Sequence, residues 1–182
     1  MKQVFKFILL KISRFIYLIV RVLSRVKFYI VPSELKNTPL LQKLKNEAVW
    51  LIIDPWEKQP KPYDNEYVSN INNYYCNKID EYMHDVNHKF IVLEENETVH
   101  KTFKGYPRIQ HQFVNEEIKD KFDTIVYVGF HHGRCTIDKP KSGAKYMHEN
   151  YKVYFKENLL CLLPGDSWVE MDKKTKKYGE II

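Results

Sequence analysis

The chain has 182 residues, of which 44% are hydrophobic and 14% aromatic, so it can bury a core and wholesale disorder is excluded. The net charge is +6, but residues 1–33 hold seven basic residues and no acidic one, which leaves 22 basic and 23 acidic residues elsewhere. That balance excludes a nucleic-acid partner inferred from overall charge. Three widely spaced cysteines, Cys76, Cys135 and Cys161, exclude a disulfide scaffold and favour a reducing, cytoplasmic location.

The N-terminal arm, residues 1–33, is predicted to form a basic amphipathic helix. Its longest uncharged apolar run, FIYLIV, has six residues, whereas a spanning helix needs about 20. At helical spacing, Lys11, Arg14, Arg21 and Arg25 fall on one side, and apolar residues cover most of the rest. This pattern favours peripheral binding to an anionic membrane surface. A helix packed on the domain or on a second copy of the chain, and a cleaved or spanning signal, stay open.

Residues 34–182 are predicted to form one domain in which strands alternate with helices. After a connector with one helical turn, the predicted strands are AVWLIID (48–54), HKFIVLEEN (88–96), DTIVYVGF (123–130) and Tyr151 to Phe155, with a short fifth strand after them. The predicted helices are 68–86, 114–122 and 142–150, residues 98–113 are irregular, and 165–182 are mixed. Continuous apolar strands that alternate with helices indicate a parallel sheet covered on both faces.

Two residues of reactive type lie where predicted strands end. Asp54 closes the first strand, and Cys135 follows DTIVYVGF within the segment GFHHGRCTID. Because chemistry in parallel sheets sits at the carboxyl ends of the strands, these residues are the primary candidates for a site. Cys76, on a helical pattern, and Cys161, in LLCLL, are predicted to be core residues.

These two segments resemble the isochorismatase-like cysteine hydrolases, a group that includes nicotinamidases and carbamoyl amidohydrolases. WLIIDPW is similar to the family's first strand, and VYVGFHHGRCTID to its strand, glycine turn and nucleophilic cysteine. The resemblance implies a doubly wound three-layer α/β sandwich with a mainly parallel sheet, extended here by the N-terminal helix. It also implies hydrolysis of a small amide or carbamoyl C–N bond through a thioester, with no cofactor and with dimers or tetramers common.

Carried onto this chain, the resemblance implies Cys135 as nucleophile, Asp54 as base and Lys101 as the lysine, with Lys104 as second choice. Only a thiolate attacks well, and a thiol with its usual pKa is mostly protonated at neutral pH. A carboxylate, an ammonium group and the amino end of a helix would each help Cys135 to react. The backbone N–H groups of Arg134 and Cys135 would form the oxyanion hole.

Residues beside these candidates are predicted to line the substrate pocket. Trp56 and Phe130 are candidate apolar walls, although packing in the core is equally compatible with the pattern. His131, His132 and Arg134 complete the predicted set. Two histidines with a cysteine also suggest zinc, but adjacent histidines cannot easily point at one tetrahedral site and no second ligand pair has standard spacing. We therefore predict no metal.

An alternative function is a catalytically degenerate domain that binds a ligand or partner, or acts as a membrane-associated structural module. Asp54 and Lys101 are 47 residues apart, less than the family's usual separation. The region that helps form the family's substrate pocket is correspondingly short. This alternative predicts that Cys135 has no carboxylate or ammonium group nearby.

Overall fold

A computed structural model describes residues 38–57, 65–84, 89–95, 98–162 and 168–182. The predicted amphipathic arm at 1–33 lies outside these ranges. In the described part of the chain, no helix is both long enough and apolar enough to cross a membrane.

Six strands form a single sheet, and every strand pairing in it is parallel. The strands are β1 (Val49–Ile53), β2 (Lys89–Glu94), β3 (Arg108–Gln110), β4 (Thr124–Gly129), β5 (Lys152–Leu160) and β6 (Glu180–Ile181). Their spatial order is β3-β2-β1-β4-β5-β6, so the direction of winding reverses between β1 and β4. This is the predicted doubly wound arrangement, and the crevice at such a reversal is the usual place for a ligand.

Both faces of the sheet are buried, as the apolar strand sequences predict. In β1, Trp50 and Ile52 contribute to one hydrophobic cluster, whereas Val49, Leu51 and Ile53 contribute to the other. Alternate residues of a strand point to opposite faces, so a strand buried on both faces must be apolar throughout. The sheet is therefore the middle of three layers, which confirms the predicted fold class.

The described ranges contain six α-helices. They are α1 (Pro39–Glu47), α2 (Glu66–His84), α3 (Val114–Ile118), α4 (Cys135–Asp138), α5 (Ala144–Met147) and α6 (Trp168–Tyr178). The start of α1 is set by Thr38, whose hydroxyl accepts a hydrogen bond from the Leu41 N–H at 3.2 Å, with Pro39 following. An N-cap hydroxyl followed by proline suits the unpaired N–H groups at the start of a helix.

Four sequence predictions are corrected. Residues 98–113 contain a 3₁₀ turn, Lys101–Phe103, and the edge strand β3. Tyr151 to Phe155 and the short strand after it form one strand, β5, whose pairing with β4 shifts register between Tyr127 and Gly129. The connector contains the full helix α1 rather than one turn, and the mixed tail contains α6 and β6.

Candidate functional site

The candidate site lies at the carboxyl ends of β1 and β4, where Ile53 and Gly129 pair. Gly129 has φ 112°, and a Cβ on it would lie 2.4 Å from the carbonyl oxygen of Ile53. Only glycine tolerates both the left-handed backbone and this close approach. The glycine thus lets the chain leave β4 directly over the end of β1, and the two candidate residues Asp54 and Cys135 follow these strands.

Backbone strain is concentrated at this edge of the sheet. Asp54 has φ 48° and His131 has φ 55°, although neither is glycine. A left-handed conformation at a residue other than glycine costs roughly 1–2 kcal/mol and tends to persist where function requires it. Both strained residues lie at this edge of the sheet, so the surrounding structure must offset the cost of their conformations.

Three side chains converge there. A carboxylate oxygen of Asp54, a ring nitrogen of His131 and the Sγ of Cys135 all lie within 4.8 Å of one another. The Cys135 Sγ lies 3.5 Å from His131 Nδ1. Asp54 is fully buried, His131 is buried, and Cys135 is partly exposed. The structure therefore brings together the predicted carboxylate and the predicted thiol, with the first of the two histidines beside them.

Asp54 is held by a buried hydrogen-bonded chain. The Asp54 Oδ1 lies 2.8 Å from His111 Nε2, and the His111 Nδ1 lies 2.6 Å from Ser142 Oγ. Because an ionised carboxylate can only accept, His111 donates its Nε2–H to Asp54. The order serine, histidine, aspartate resembles a hydrolase triad, but Ser142 is 0% exposed. Ser142 therefore orients His111, and the group that a small molecule can reach is Cys135.

A lysine lies on the other side of Asp54. The Lys139 Nζ lies 4.0 Å from Asp54 Oδ2 and 2.6 Å from Glu95 Oε1. Burial favours the neutral form of Asp54, but the hydrogen bond and charge of His111 and the charge of Lys139 outweigh it, so the pKa of Asp54 is lowered. Burial likewise opposes the charge on Lys139, but Asp54 and Glu95 raise its pKa. Asp54 is thus an anion at neutral pH.

Cys135 is a protonated thiol in this environment. Its burial, followed by the negative charge of Asp54, raises the pKa of Cys135, and the Lys139 charge only partly opposes this. Cys135 is the first residue of α4, as the prediction of a helix amino end required, but α4 has only four residues. The surroundings of Cys135 favour the thiol over the thiolate, because burial and the Asp54 charge outweigh the Lys139 charge. Asp54 is placed to receive the proton instead.

Two predicted features of the site are absent from it. Lys101 is exposed, and its backbone N–H donates to Glu57 Oε2 at 2.7 Å. The alternative, Lys104, is exposed at the end of the same 3₁₀ turn, and the lysine beside Asp54 is Lys139. The predicted oxyanion hole is occupied, since the N–H groups of residues 134 and 135 both donate to the carbonyl of residue 131 at 2.9 Å.

The predicted pocket residues have different locations. Trp56 is buried, with its ring edge-on to His131 at 5.1 Å between centroids, and its Nε1 has no hydrogen-bond partner. Phe130 is 2% exposed and belongs to the core, where it packs against Tyr75 on α2. Arg134 is exposed. Of these residues, His131 lies beside the thiol and Trp56 beside His131, whereas Phe130 packs in the core.

His132 points away from the thiol into a network that holds α6. The His132 Nδ1 lies 2.8 Å from Thr136 Oγ1, and the Nε2 lies 2.8 Å from Thr175 Oγ1. The Thr175 hydroxyl donates to the Met171 carbonyl, so it must accept from Nε2–H, and Nδ1 then accepts from Thr136. Lys174 on the same helix donates to the Gly133 carbonyl at 2.7 Å. The C-terminal helix thus fixes the turn that carries Cys135.

Sequence reasoning missed His111 and Lys139. His111 directly follows β3, so it reaches the same edge of the sheet as Asp54, but β3 has three residues and a half-exposed pattern that gave no strand signal. Lys139 follows α4, whereas the family resemblance directed attention to the segment before β4. A basic residue directly after CTID was the available signal.

Comparisons with known proteins identify the fold. No family model and no curated protein matches the chain. An isochorismatase-like hydrolase from Alkaliphilus metalliredigens has a TM-score of 0.55 at 10% identity, covering 75% of this chain and 94% of that one. The MAR1 ribonuclease of Caenorhabditis elegans has 0.54 at 16%, covering 76% and 77%. An N-carbamoylsarcosine amidase from Thermoplasma acidophilum has 0.54 at 9%, covering 74% and 95%. The chain thus has the isochorismatase-like fold that its sequence motifs predict.

Proposed function

We propose that the protein is a cysteine hydrolase that cleaves a small amide or carbamoyl C–N bond, with Cys135 as nucleophile and Asp54 as its base. The observation that carries the proposal is the convergence of the Cys135 Sγ and the Asp54 carboxylate within 4.8 Å at the carboxyl ends of β1 and β4. Structural neighbours with this fold include an isochorismatase-like hydrolase and an N-carbamoylsarcosine amidase.

The protonation states favour proton transfer during the attack rather than before it. Cys135 has a raised pKa and Asp54 a lowered one, so the resting pair is a thiol and a carboxylate. As the sulfur bonds to the substrate carbonyl carbon, its proton passes to Asp54, and the carbonyl oxygen becomes an oxyanion. Collapse expels the amine, which takes the proton from Asp54 and leaves a thioester. Water then attacks the thioester, with Asp54 as base again, and the proton returns to the sulfur.

The surrounding groups support this chemistry by position and charge. His111 and Ser142 fix the Asp54 carboxylate, so its orientation does not have to be gained during the reaction. The positive charge of Lys139 adds to the effect of His111 in lowering the pKa of Asp54, so that Asp54 stays ionised. The buried indole N–H of Trp56, which has no partner, is a candidate donor to a substrate oxygen.

A second candidate is a degenerate binding module. The occupied N–H groups of Arg134 and Cys135 favour it, since an oxyanion needs free donors. The proximity of Asp54 to the thiol argues against this candidate, which predicts no charged group near Cys135. Asp54 lies within 4.8 Å of the thiol, inside the range of about 4–6 Å over which charges perturb a pKa strongly.

Membrane attachment through residues 1–33 is a separate proposal, tested by liposome flotation with and without the arm. Loss of flotation on deletion is expected, and flotation of neither form would contradict it.

Turnover by single-cysteine variants tests the hydrolase. Ammonia release is measured over a panel of primary amides and N-carbamoyl compounds with the full chain, Cys135→Ser and Cys161→Ser. Cys161 is a matched control because it is also a free thiol but is 7% exposed and belongs to the core. We expect Cys135→Ser to lower turnover by at least about 1000-fold and Cys161→Ser to leave it within a few-fold. Equal activity of the two variants would remove Cys135 from the mechanism.

A further inference from the structure

The three converging side chains have the composition of a zinc site. Thiolate, imidazole and carboxylate are the three ligand types that zinc takes in proteins, and three protein ligands with an open fourth position are typical of reactive sites. The 3.5 Å between Cys135 Sγ and His131 Nδ1 matches a shared tetrahedral metal. Zn–S of about 2.3 Å and Zn–N of about 2.0–2.1 Å at a tetrahedral angle place sulfur and nitrogen about 3.6 Å apart.

Asp54 supplies the third ligand, and its Oδ2, which lies 4.0 Å from the Lys139 Nζ, is the oxygen that makes no hydrogen bond. Its Oδ2 is buried and has no hydrogen-bond partner, although the residue is 0% exposed. A buried carboxylate oxygen without a partner is costly unless something binds it. Its other oxygen, Oδ1, accepts from His111, which is in turn held by Ser142. Metal-binding carboxylates are commonly oriented by such outer hydrogen bonds.

The charges at the site also balance. A thiolate, a carboxylate and a neutral imidazole carry two negative charges, which one divalent cation neutralises. The positive charge of Lys139, 4.0 Å from Asp54 Oδ2, would repel the metal ion. Glu95 lies 2.6 Å from the Lys139 ammonium group and offsets that positive charge. Binding requires that Cys135 lose its proton, so it must be coupled to proton release.

We infer that Asp54, His131 and Cys135 bind one thiophilic divalent cation of the zinc class, and that the bound cation blocks the nucleophilic sulfur. The second histidine of the sequence motif takes no part, because both nitrogens of His132 bond to threonine hydroxyls. The inference uses the same residues as the proposed hydrolase, but its readout needs no substrate.

Cobalt spectroscopy of the full chain tests the site directly. Protein freed of metal with a chelator is titrated with Co²⁺, which reports thiolate ligands by a sulfur-to-metal absorption band and four-coordination by its visible bands. Zn²⁺ is then added in weak buffer. We expect one Co²⁺ per chain with both features, displacement by Zn²⁺, release of one proton, and protection of Cys135 from alkylation. Absence of the sulfur-to-metal band would overturn the inference.

Variants separate this site from adventitious thiol binding. Cys135→Ser should abolish the sulfur-to-metal band, and Cys161→Ser should leave it intact. His131→Asn, which tolerates the left-handed backbone at φ 55°, should weaken binding at least about tenfold, while the control His148→Asn should not. Unchanged binding by His131→Asn would also contradict the inference.

If the metal binds as expected but no amide is cleaved, only the proposed hydrolase falls. If amides are cleaved and Co²⁺ does not bind, only this inference falls.

Discussion

Replacing Asp54 by asparagine should move two properties of Cys135 in opposite directions. Asp54→Asn keeps the size of the side chain but removes its charge and its ability to take a proton. Turnover should fall by about 100- to 10,000-fold, the usual effect of losing a general base. The thiol should become more reactive toward a small neutral disulfide at neutral pH, because the charge of Asp54 raises the pKa of Cys135.

The size of the second effect follows from the distance. Asp54 and Cys135 atoms lie within 4.8 Å, and two unit charges at that distance interact by about 3.5 kcal/mol at an effective dielectric constant of about 20. That energy corresponds to a fall of about 2.5 units in the thiol pKa. The thiolate fraction at neutral pH then rises about 300-fold, but a less basic thiolate is less nucleophilic. With a Brønsted coefficient of about 0.45, the net gain in exchange rate is about 25-fold.

Stopped-flow thiol–disulfide exchange at several pH values measures this gain, with peptide mapping to assign the modified cysteine. Asp172→Asn is the control, since it removes an exposed carboxylate that is paired with Lys176. We expect the control to react like the unmodified protein. If Cys135 in the Asp54→Asn variant reacts no faster than Cys135 in the unmodified protein, the Asp54 charge does not act on Cys135. That result would refute the acid–base pairing.

Other changes test the supports of the site. Burial, followed by the charge of Lys174, lowers the pKa of His132 to about 4, below its unfolded value of about 6.5, so the unfolded chain binds the extra proton first. Unfolding free energy should therefore fall by about 3 kcal/mol as the pH drops from about 6.5 to 4, and urea titrations of His132→Asn should lack this slope. Gly129→Ala should cost at least about 2 kcal/mol in urea unfolding, because of its positive φ and the 2.4 Å contact with a backbone oxygen, whereas Gly105→Ala, with no atom within 4 Å, should change stability by less than about 1 kcal/mol. His111→Leu should move the acid limb of the pH–rate profile to higher pH, because His111 lowers the pKa of Asp54, and an unmoved limb would contradict that role.

The sequence predicted the part of the fold that is encoded by continuous apolar runs. β1 and β4 are such runs, buried along almost their whole length, and they are the two strands whose ends carry Asp54 and Cys135. Because parallel strands align their carboxyl ends, the identity of these two residues and their proximity could both be inferred. This is why the central pair was predicted from one sequence.

The rest of the site depends on elements with weak local signals. β3 is a three-residue edge strand, so its pattern did not mark His111 as following a strand. Lys156 and Glu157 interrupt the apolar pattern of β5, and the chain therefore read as two strands instead of one. The tail looked mixed because the helix that fixes the Cys135 turn does so with polar residues, Lys174 and Thr175.

The protonation state of Cys135 does not follow from the sequence, for an electrostatic reason. Sequence spacing indicated that Asp54 approaches the thiol, but not that Lys139, which is paired with Glu95, is the lysine beside Asp54, nor that its charge only partly opposes that of Asp54. A carboxylate beside a partly buried thiol disfavours the thiolate. This balance of burial and charge arises from side-chain packing, which the linear sequence does not display.

Trapping of the acyl intermediate tests the central claim most directly. Amides turned over by the protein are mixed with it, quenched in acid within milliseconds to seconds, and analysed by intact and peptide mass spectrometry. The account predicts an acyl group on Cys135, removable by hydroxylamine as a thioester, which accumulates in the unmodified chain and is missing from Cys135→Ser. Turnover with no adduct on Cys135 at any time, or an adduct on Cys76 or Cys161 instead, would contradict it.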